Sequence, residues 1–523
     1  MRILKESENL LVILCINVRK CALLCTKNRL SFMRDYDSSS PLSILAYSRD
    51  LLGNSLTQIL PIIDNSIDID ELNKAGKGGL AQMVEKYYFG YEPNSDPRPD
   101  FIEAGVELKV SALKKNHKNE LAIKERLVCD MIDYCALVEE DFENSRFFKK
   151  SMLMLIMFYL HVSGCPKKDL QFIYSILWLI KDKDFLIIKE DFRIIQDKVR
   201  RGLAHELSEG DTMYLGACRK GQKGDSLRRQ PNSEIRAKAR AFSLKASYMR
   251  TVLDYVKKSG KNVSSNITEE EMPGIELVTK QELMNNSFED ILRKRFEPFI
   301  GKDYKQISSE LGVNIKSEDK SKYANIVKQI LLKGLKNEND ADEIKKSGIK
   351  IKTIRLQKNG SVKEHMSFER INYQEIFETD NWIDSRWYEI ITTRYMFIVF
   401  REVDDEESDN ESKYILDKMF FWTMPPSDYG IAEEYWNNIR KNVLADTLLN
   451  SKDGKHANTF WTLKDHKFFH VRPKARNSAD VTYSPVSNMA VPKKAYWFDN
   501  RYLRKELMNA YGDDWNKLFK TQD

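Results

Sequence analysis

Pro99-Asp100-Phe-Ile-Glu-Ala-Gly105-Val-Glu107-Leu-Lys109-Val110 places the carboxylates of Asp100 and Glu107 and the ammonium of Lys109 within ten residues. The stretch reads as a turn or short strand, a break at Gly105, and then a strand. Side chains alternate faces along a strand, so Glu107 and Lys109 project together while Val106, Leu108 and Val110 turn to a core. Asp100 can return to the acidic face. Two hard oxygen ligands suit Mg²⁺, which keeps waters and takes one or two carboxylates together with phosphate oxygens. A lysine beside them can orient or deprotonate an attacking water, or neutralise charge building on a phosphate. The pattern Asp-x6-Glu-x-Lys alone fits a solvated edge strand equally well.

Working outward, Lys77-Gly-Gly-Leu-Ala-Gln-Met-Val-Glu85-Lys-Tyr-Tyr-Phe-Gly90 precedes this stretch. Glu143-Asn-Ser-Arg-Phe-Phe-Lys149-Lys150 follows it, just ahead of the apolar run Met152 to Leu160, which reads as a buried strand. Further on come Ala204-His-Glu-Leu-Ser-Glu-Gly210, Ser226-Leu-Arg-Arg-Gln-Pro231 and Arg240-Ala-Phe-Ser-Leu-Lys245.

Taken in order, these blocks resemble the MutH/Sau family of GATC-directed endonucleases, and the later ones lie nearer its Sau-type restriction branch than its repair branch. The resemblance covers most of the chain. It implies an α/β (α+β) fold, two tandem MutH-like restriction-endonuclease-fold domains, each a mixed central sheet flanked by helices. By the family's pattern Asp100 and Glu107 are metal ligands, Glu85 joins them, Lys109 and Lys150 are active-site lysines, and Lys77 is a further active-site or phosphate contact. The implied reaction is Mg²⁺-dependent hydrolysis of double-stranded DNA at 5′-GATC-3′. A strand-nicking repair endonuclease and a non-catalytic sequence-specific DNA-binding protein are the alternatives.

The second half replays the first. Ser347-Gly348-Ile-Lys350-Ile-Lys352-Thr mirrors Ala104-Gly105-Val-Glu107-Leu-Lys109-Val, and Tyr395 to Phe400 answers the strand after Lys150. This alignment puts Lys350 where Glu107 stands and Ile330 near the place of Glu85. A lysine in place of a carboxylate repels a cation, so the second half is expected to bind DNA without cutting it. In the family an Arg-Pro-Lys loop reads base edges, where Lys and Arg donors suit guanine O6 and N7. Here Arg472-Pro-Lys474 keeps it, while the first half carries Cys218-Arg219-Lys220. The resemblance implies that this half takes a second site and regulates cleavage, with the chain a monomer or a DNA-induced dimer. A tight basic turn is the plainer reading of the same residues.

At 523 residues the chain is long enough for two to four domains. Its 84 Lys+Arg against 78 Asp+Glu leave only +6, so a DNA partner must be met by local clusters. The expected organisation is an extension over residues 1–33 outside the family match, a catalytic domain over 34–260, a linker over 261–280 and a degenerate domain over 281–523. Residues 34 to about 75 read as helical, capped at Ser40, and the acidic run Asp404 to Glu411 as a hairpin loop. Trp382, Trp387, Trp436 and Trp461 read as core anchors.

Seven cysteines without a Cys-x-x-Cys pair argue for reduced thiols in the cytoplasm. His205-Glu206 lacks the second histidine of a zinc protease helix, and no Gly-x4-Gly-Lys-Ser/Thr loop calls for a nucleotide cofactor. Leu10 to Val18 is too short to span a membrane.

Overall fold

The computed structural model describes residues 35–63, 79–94, 96–116, 118–220, 227–259, 276–332, 341–404, 413–449 and 458–519. It divides into two compact units. The first takes the chain to His205 with Tyr214–Gly274 and Lys345–Ser347; the second takes Glu206–Met213, Ile275–Ile344 and Gly348–Asp523. Lys77, the extension over 1–33 and the acidic run 405–411 lie outside the described residues. Among the described residues no helix is long and apolar enough to cross a membrane.

The first unit is built on strand β1 (Glu107–Lys115). β1 pairs antiparallel with β2 (Leu121–Ile123) and parallel with β4 (Leu153–Leu160), which pairs antiparallel with β5 (Phe172–Leu179). A second, antiparallel sheet runs β3 (Leu127–Met131), β9 (Arg240–Leu244), β6 (Leu215–Arg219), and a hairpin of β7 (Leu227–Gln230) and β8 (Ser233–Lys238) stands apart. β4 is the central strand, buried from Leu153 to Phe158, and its uninterrupted apolar run reflects cover on both faces. Leu155 and Met157 on one face of β4 pack with Val106, Leu108, Tyr88, Phe89 and Phe101.

Two buried polar devices hold this core in register. Asp191, on the helix Asp182–Arg200, accepts the N–H groups of Tyr214 (2.6 Å) and Leu215 (2.8 Å), so the start of β6 is paired without solvent. Ser145 caps the helix Arg146–Ser151, accepting the Phe148 N–H at 3.1 Å.

The first helical stretch differs from its reading as one continuous element. The helix Pro41–Arg49 has Ser40 as its cap, as expected, but the chain then breaks before Leu56–Ile63. Gly53 adopts φ +83° within the break and donates its N–H to Phe172 O on β5 at 2.8 Å. Tertiary pairing with β5 outweighs the local helical periodicity of Leu51, Leu52, Leu56 and Ile59.

The second unit repeats the plan. β10 (Lys350–Leu356) runs parallel to β12 (Tyr395–Val403), which pairs antiparallel with β13 (Lys413–Trp422). β11 (Met366–Arg370), β17 (Lys494–Phe498) and β14 (Phe469–Pro473) form its antiparallel sheet, beside a short hairpin of β15 (Val481–Tyr483) and β16 (Ala490–Pro492). Its core is aromatic. Trp387 is fully buried, stacks on Tyr496 at 5.2 Å and donates its indole N–H to Ala432 O at 2.8 Å. Trp382 and Trp436 are also buried, and Trp461 is partly so. Both units are thus mixed α/β structures with a sheet flanked by helices, the fold class the sequence indicates.

Leu155 is fully buried at the centre of β4. Leu155→Ala is expected to lower stability by about 3 kcal/mol, measured by chemical denaturation of the full chain.

Candidate active site

The spacing of Asp100 and Glu107 has a geometric cause. Phe101 and Val106 form an antiparallel bridge, with N–O distances of 2.9 and 3.2 Å, and residues 102–105 turn between them. Gly105 closes the turn at φ +65°, a conformation that costs a side-chain-bearing residue strain. Asp100 and Glu107 therefore flank the bridge on adjoining strands. The Asp100 N–H donates to Glu107 Oε2 at 3.3 Å, and the Leu108 N–H donates to Asp100 Oδ2 at 2.9 Å. Val106 and Leu108 go to the core, and Glu107 is itself only 3% exposed.

Two ammoniums converge on the other oxygen of Glu107. Lys109 Nζ donates to Glu107 Oε1 at 2.9 Å and to Cys129 O, on β3, at 3.0 Å. Lys150, from the helix capped by Ser145, stands 3.3 Å from the same Oε1 and donates to Asp96 O at 3.2 Å. Burial alone would lower the Lys109 pKa, but the charge of Glu107, with help from Cys129 and Asp100, outweighs it and the net shift is upward. Lys109 thus donates to a carboxylate and a strand carbonyl at once.

Glu85 arrives from a different element. Helix Gly79–Met83 runs into a π-helical turn, Val84–Phe89, ended by Gly90 at φ +83°. The N–H groups of Gly90 and Tyr91 both bond Glu85 O, at 2.9 and 3.1 Å. Turns of this kind often mark functional positions, since they re-aim one side chain of a helix. Burial, then Asp100 and Glu107, push the Glu85 carboxyl up to about 7; burial, then Glu107, push Asp100 up to about 6.

The structure thus brings together five of the six residues singled out from the sequence: Glu85, Asp100, Glu107, Lys109 and Lys150. Lys77 lies outside the described residues. Sequence reasoning missed Tyr91. Burial and then Asp100, Glu85 and Glu107 raise its phenol pKa, so it faces the acids. The only signal was its position one residue past the motif block ending at Gly90.

The donor set fits a divalent cation. Three carboxylates from two chain segments share a desolvated pocket in which burial and the neighbouring acids raise the proton affinity of Glu85 and Asp100, the electrostatic condition that a bound cation relieves. All are hard oxygen donors, with no thiolate or imidazole among them.

The counterpart positions in the second unit keep the scaffold and lose the acid at the place of Glu107. Gly348 repeats the left-handed turn at φ +68° and Lys350 opens β10 where Glu107 opens β1. Lys352 Nζ donates to Ser367 O on β11 at 3.0 Å, as Lys109 does to Cys129 O. Ser385 caps the helix Arg386–Ile391, and five residues beyond the cap stands buried Ile390 in place of Lys150. Glu343, five residues before Gly348 as Asp100 is before Gly105, bonds the Leu277 N–H at 2.8 Å. His365, His470 and Asp499 do cluster in this unit, but Arg501 already grips Asp499, at 2.8 and 3.1 Å.

The basic positions read as DNA contacts are placed as follows. Arg219 ends β6 and the Lys220 N–H bonds Ala239 O at 2.9 Å. Arg472 and Pro473 belong to strand β14 rather than to a loop, because the ladder with β17 continues through Pro473 to Lys494. The Arg472 guanidinium lies over the Trp497 ring at 4.8 Å, and Lys474 Nζ donates to Phe368 O at 2.5 Å.

The raised acids set a pH dependence. Asp100 and Glu85 have folded pKa values above their unfolded ones, so between about pH 4 and pH 7 the native chain holds protons the unfolded chain has released. In chelator, stability is expected to fall as pH rises across this window. Replacing both acids with amides (Asp100→Asn with Glu85→Gln) should flatten that part of the Tm-against-pH curve relative to the parent.

Comparison with known proteins agrees with this geometry. Residues 89–191, which hold Asp100, Glu107, Lys109 and Lys150, match the family described as DNA mismatch repair enzyme MutH. The chain is 31% identical over 472 residues to the type II restriction enzyme Sau3AI of Staphylococcus aureus, covering 84% of this chain and 89% of that one. It is 25% identical over 217 residues to the DNA mismatch repair protein MutH of Shewanella woodyi (strain ATCC 51908 / MS32), covering 40% of this chain and 89% of that one. With the restriction enzyme matched through both units and the repair protein through less than half of the chain, this protein belongs to the MutH/Sau family, as a nuclease of the restriction-endonuclease type.

Proposed function

We propose that the chain is a type II restriction endonuclease that makes Mg²⁺-dependent double-strand cuts in DNA at 5′-GATC-3′, the first unit cutting and the second binding a further site. The observation that carries the reading is the convergence of Glu85, Asp100 and Glu107 under Lys109 and Lys150 in one unit. Family membership supports the substrate class, and the family's GATC specificity supports the sequence.

Asp100 and Glu107 would hold the cation, with Glu85 behind them. When bound, Mg²⁺ supplies Lewis acidity toward the phosphate and the attacking water. Lys109, fixed as an ammonium between Glu107 Oε1 and Cys129 O, orients that water by donating to it. Lys150, tied to Asp96 O, offsets negative charge that grows on the phosphate as the fifth oxygen bond forms. Glu107 aligns both ammoniums through one oxygen, so the donors are arranged before substrate arrives and need no reorganisation during the reaction.

In the second unit Lys350 replaces the acid and Ile390 replaces the second lysine. DNA binding there would proceed without cleavage, and occupancy of that site would favour the cutting-competent state of the first unit. Arg219, Lys220, Arg472 and Lys474 are the proposed DNA contacts. Arg472 stacked on Trp497 keeps its fork of donors in a fixed plane, which suits base-edge reading. No nucleotide cofactor is required, and the free thiols of Cys129, Cys135, Cys165 and Cys218 accord with a cytoplasmic setting.

Plasmids carrying one or two GATC sites, methylated or not, test the reading with Mg²⁺ present. Linear product is expected, faster from the two-site plasmid; nicked circles alone would indicate a repair-type nickase, and binding without product a non-catalytic protein. Asp100→Ala should cut cleavage by more than roughly 100-fold, the most that loss of a group merely supporting a metal ligand costs, while GATC-specific binding in chelator persists. Normal cutting by this variant would place the site elsewhere.

A further inference from the structure

Tyr91 is set by the same two segments that set the acids. Its backbone N–H closes the π-helical turn on Glu85 O at 3.1 Å, and its ring meets Phe101, the residue after Asp100, edge-on at 5.4 Å. The hydroxyl at the far end of that ring is buried and has no hydrogen-bond partner. Three other tyrosines of this unit are paired. Tyr36 donates to Phe89 O at 2.9 Å, Tyr88 to Tyr47 O at 2.6 Å and Tyr134 to Lys238 O at 2.6 Å.

A buried hydroxyl without an acceptor gives up the hydrogen bonds it had in water and gains none. Phenylalanine would fill the same space against Phe101 without that loss, so packing does not account for the oxygen. What lies around it does: burial, then the charges of Asp100, Glu85 and Glu107, raise the phenol pKa, so an O–H donor is kept beside three acceptors. Asp100 is the first of the three in strength, and it is anchored from one side only, by the Leu108 N–H on Oδ2.

We propose that Tyr91 is a positioning residue of the metal site, its hydroxyl donating to the Asp100 carboxylate when Asp100 and Glu107 draw together on the divalent cation. The proposal rests on the reading of Asp100 as a metal ligand. Donors that hold a ligating carboxylate fix its orientation and raise the affinity of the site, and their loss costs about 10–100-fold in metal affinity or activity. The Tyr91 hydroxyl makes no hydrogen bond where it stands. A bond to Asp100 formed on cation binding would stabilise the loaded state.

The test compares the parent, Tyr91→Phe and Asp100→Ala as full-length chains. Thermal unfolding is followed in chelator and across a Mg²⁺ titration, since a ligand that binds only the native state raises Tm with its concentration. Tyr91→Phe should match or exceed the parent Tm in chelator, because an unpaired hydroxyl is removed. Its Mg²⁺ midpoint should rise about 10-fold or more, and plasmid cleavage should fall at limiting Mg²⁺ and recover at high Mg²⁺, with KM for DNA unchanged. A Mg²⁺ midpoint equal to the parent's, or a lower Tm in chelator, would overturn the proposal. If Asp100→Ala loses its Mg²⁺ response while Tyr91→Phe behaves as the parent, only the role of Tyr91 fails. If Asp100→Ala keeps its response and cuts, the reading of the acids as the metal site fails with it.

Discussion

The Glu107 carboxylate is the point on which the first unit's chemistry depends. One oxygen is shared by the ammoniums of Lys109 and Lys150, and the other accepts the Asp100 N–H. Each partner comes from a different piece of the fold: β1, the helix after the Ser145 cap, and the strand before the Gly105 turn. A charged group this deeply buried persists only because its partners are in place. Two ammoniums still face three carboxylates, and that imbalance raises Asp100 and Glu85 toward neutrality. In the proposed site that excess negative charge would favour the uptake of a cation.

The second unit shows which parts of that arrangement are scaffold. An ion pair between the first residue of the capped helix and an acid of the neighbouring strand is kept, as Arg146 with Asp130 at 3.0 Å and as Arg386 with Glu369 at 2.7 Å. The lysine bond to a strand carbonyl is kept, and so are the serine cap and the left-handed glycine. Changed are the groups that carry charge into the pocket: Glu107 to Lys350, Lys150 to Ile390. The fold tolerates either set because strand pairing and core packing, rather than the acids, hold it together. Function can therefore diverge between the halves at little structural cost.

Much of this could be read from the chain itself. Asp100 and Glu107 were legible because a local turn brings them together, and the apolar run of β4 because burial on both faces leaves no polar interruption. The repeat was legible from the order of its blocks. Glu85 and Lys150 came from the family resemblance alone, since their convergence is tertiary and no spacing rule reports it. Tyr91 was not legible: a tyrosine beside Phe89 and Phe101 looks like core, and only the buried, unpaired oxygen sets it apart. The break at Gly53 was missed because the pairing partner lies on β5, far along the chain. Arg472-Pro-Lys474 was read as a loop from the family resemblance, yet Pro473 occupies the end of an edge strand, where its missing N–H does no harm.

The central claim is that a divalent cation is bound by the acids of the first unit and by nothing equivalent in the second. Direct measurement of Mn²⁺ binding by electron paramagnetic resonance, on the full chain without DNA, tests it most directly. Binding is predicted to be abolished or strongly weakened by Glu107→Gln and unaffected by His365→Ala in the second unit. Parent-like binding by Glu107→Gln, or binding lost in His365→Ala, would contradict the account.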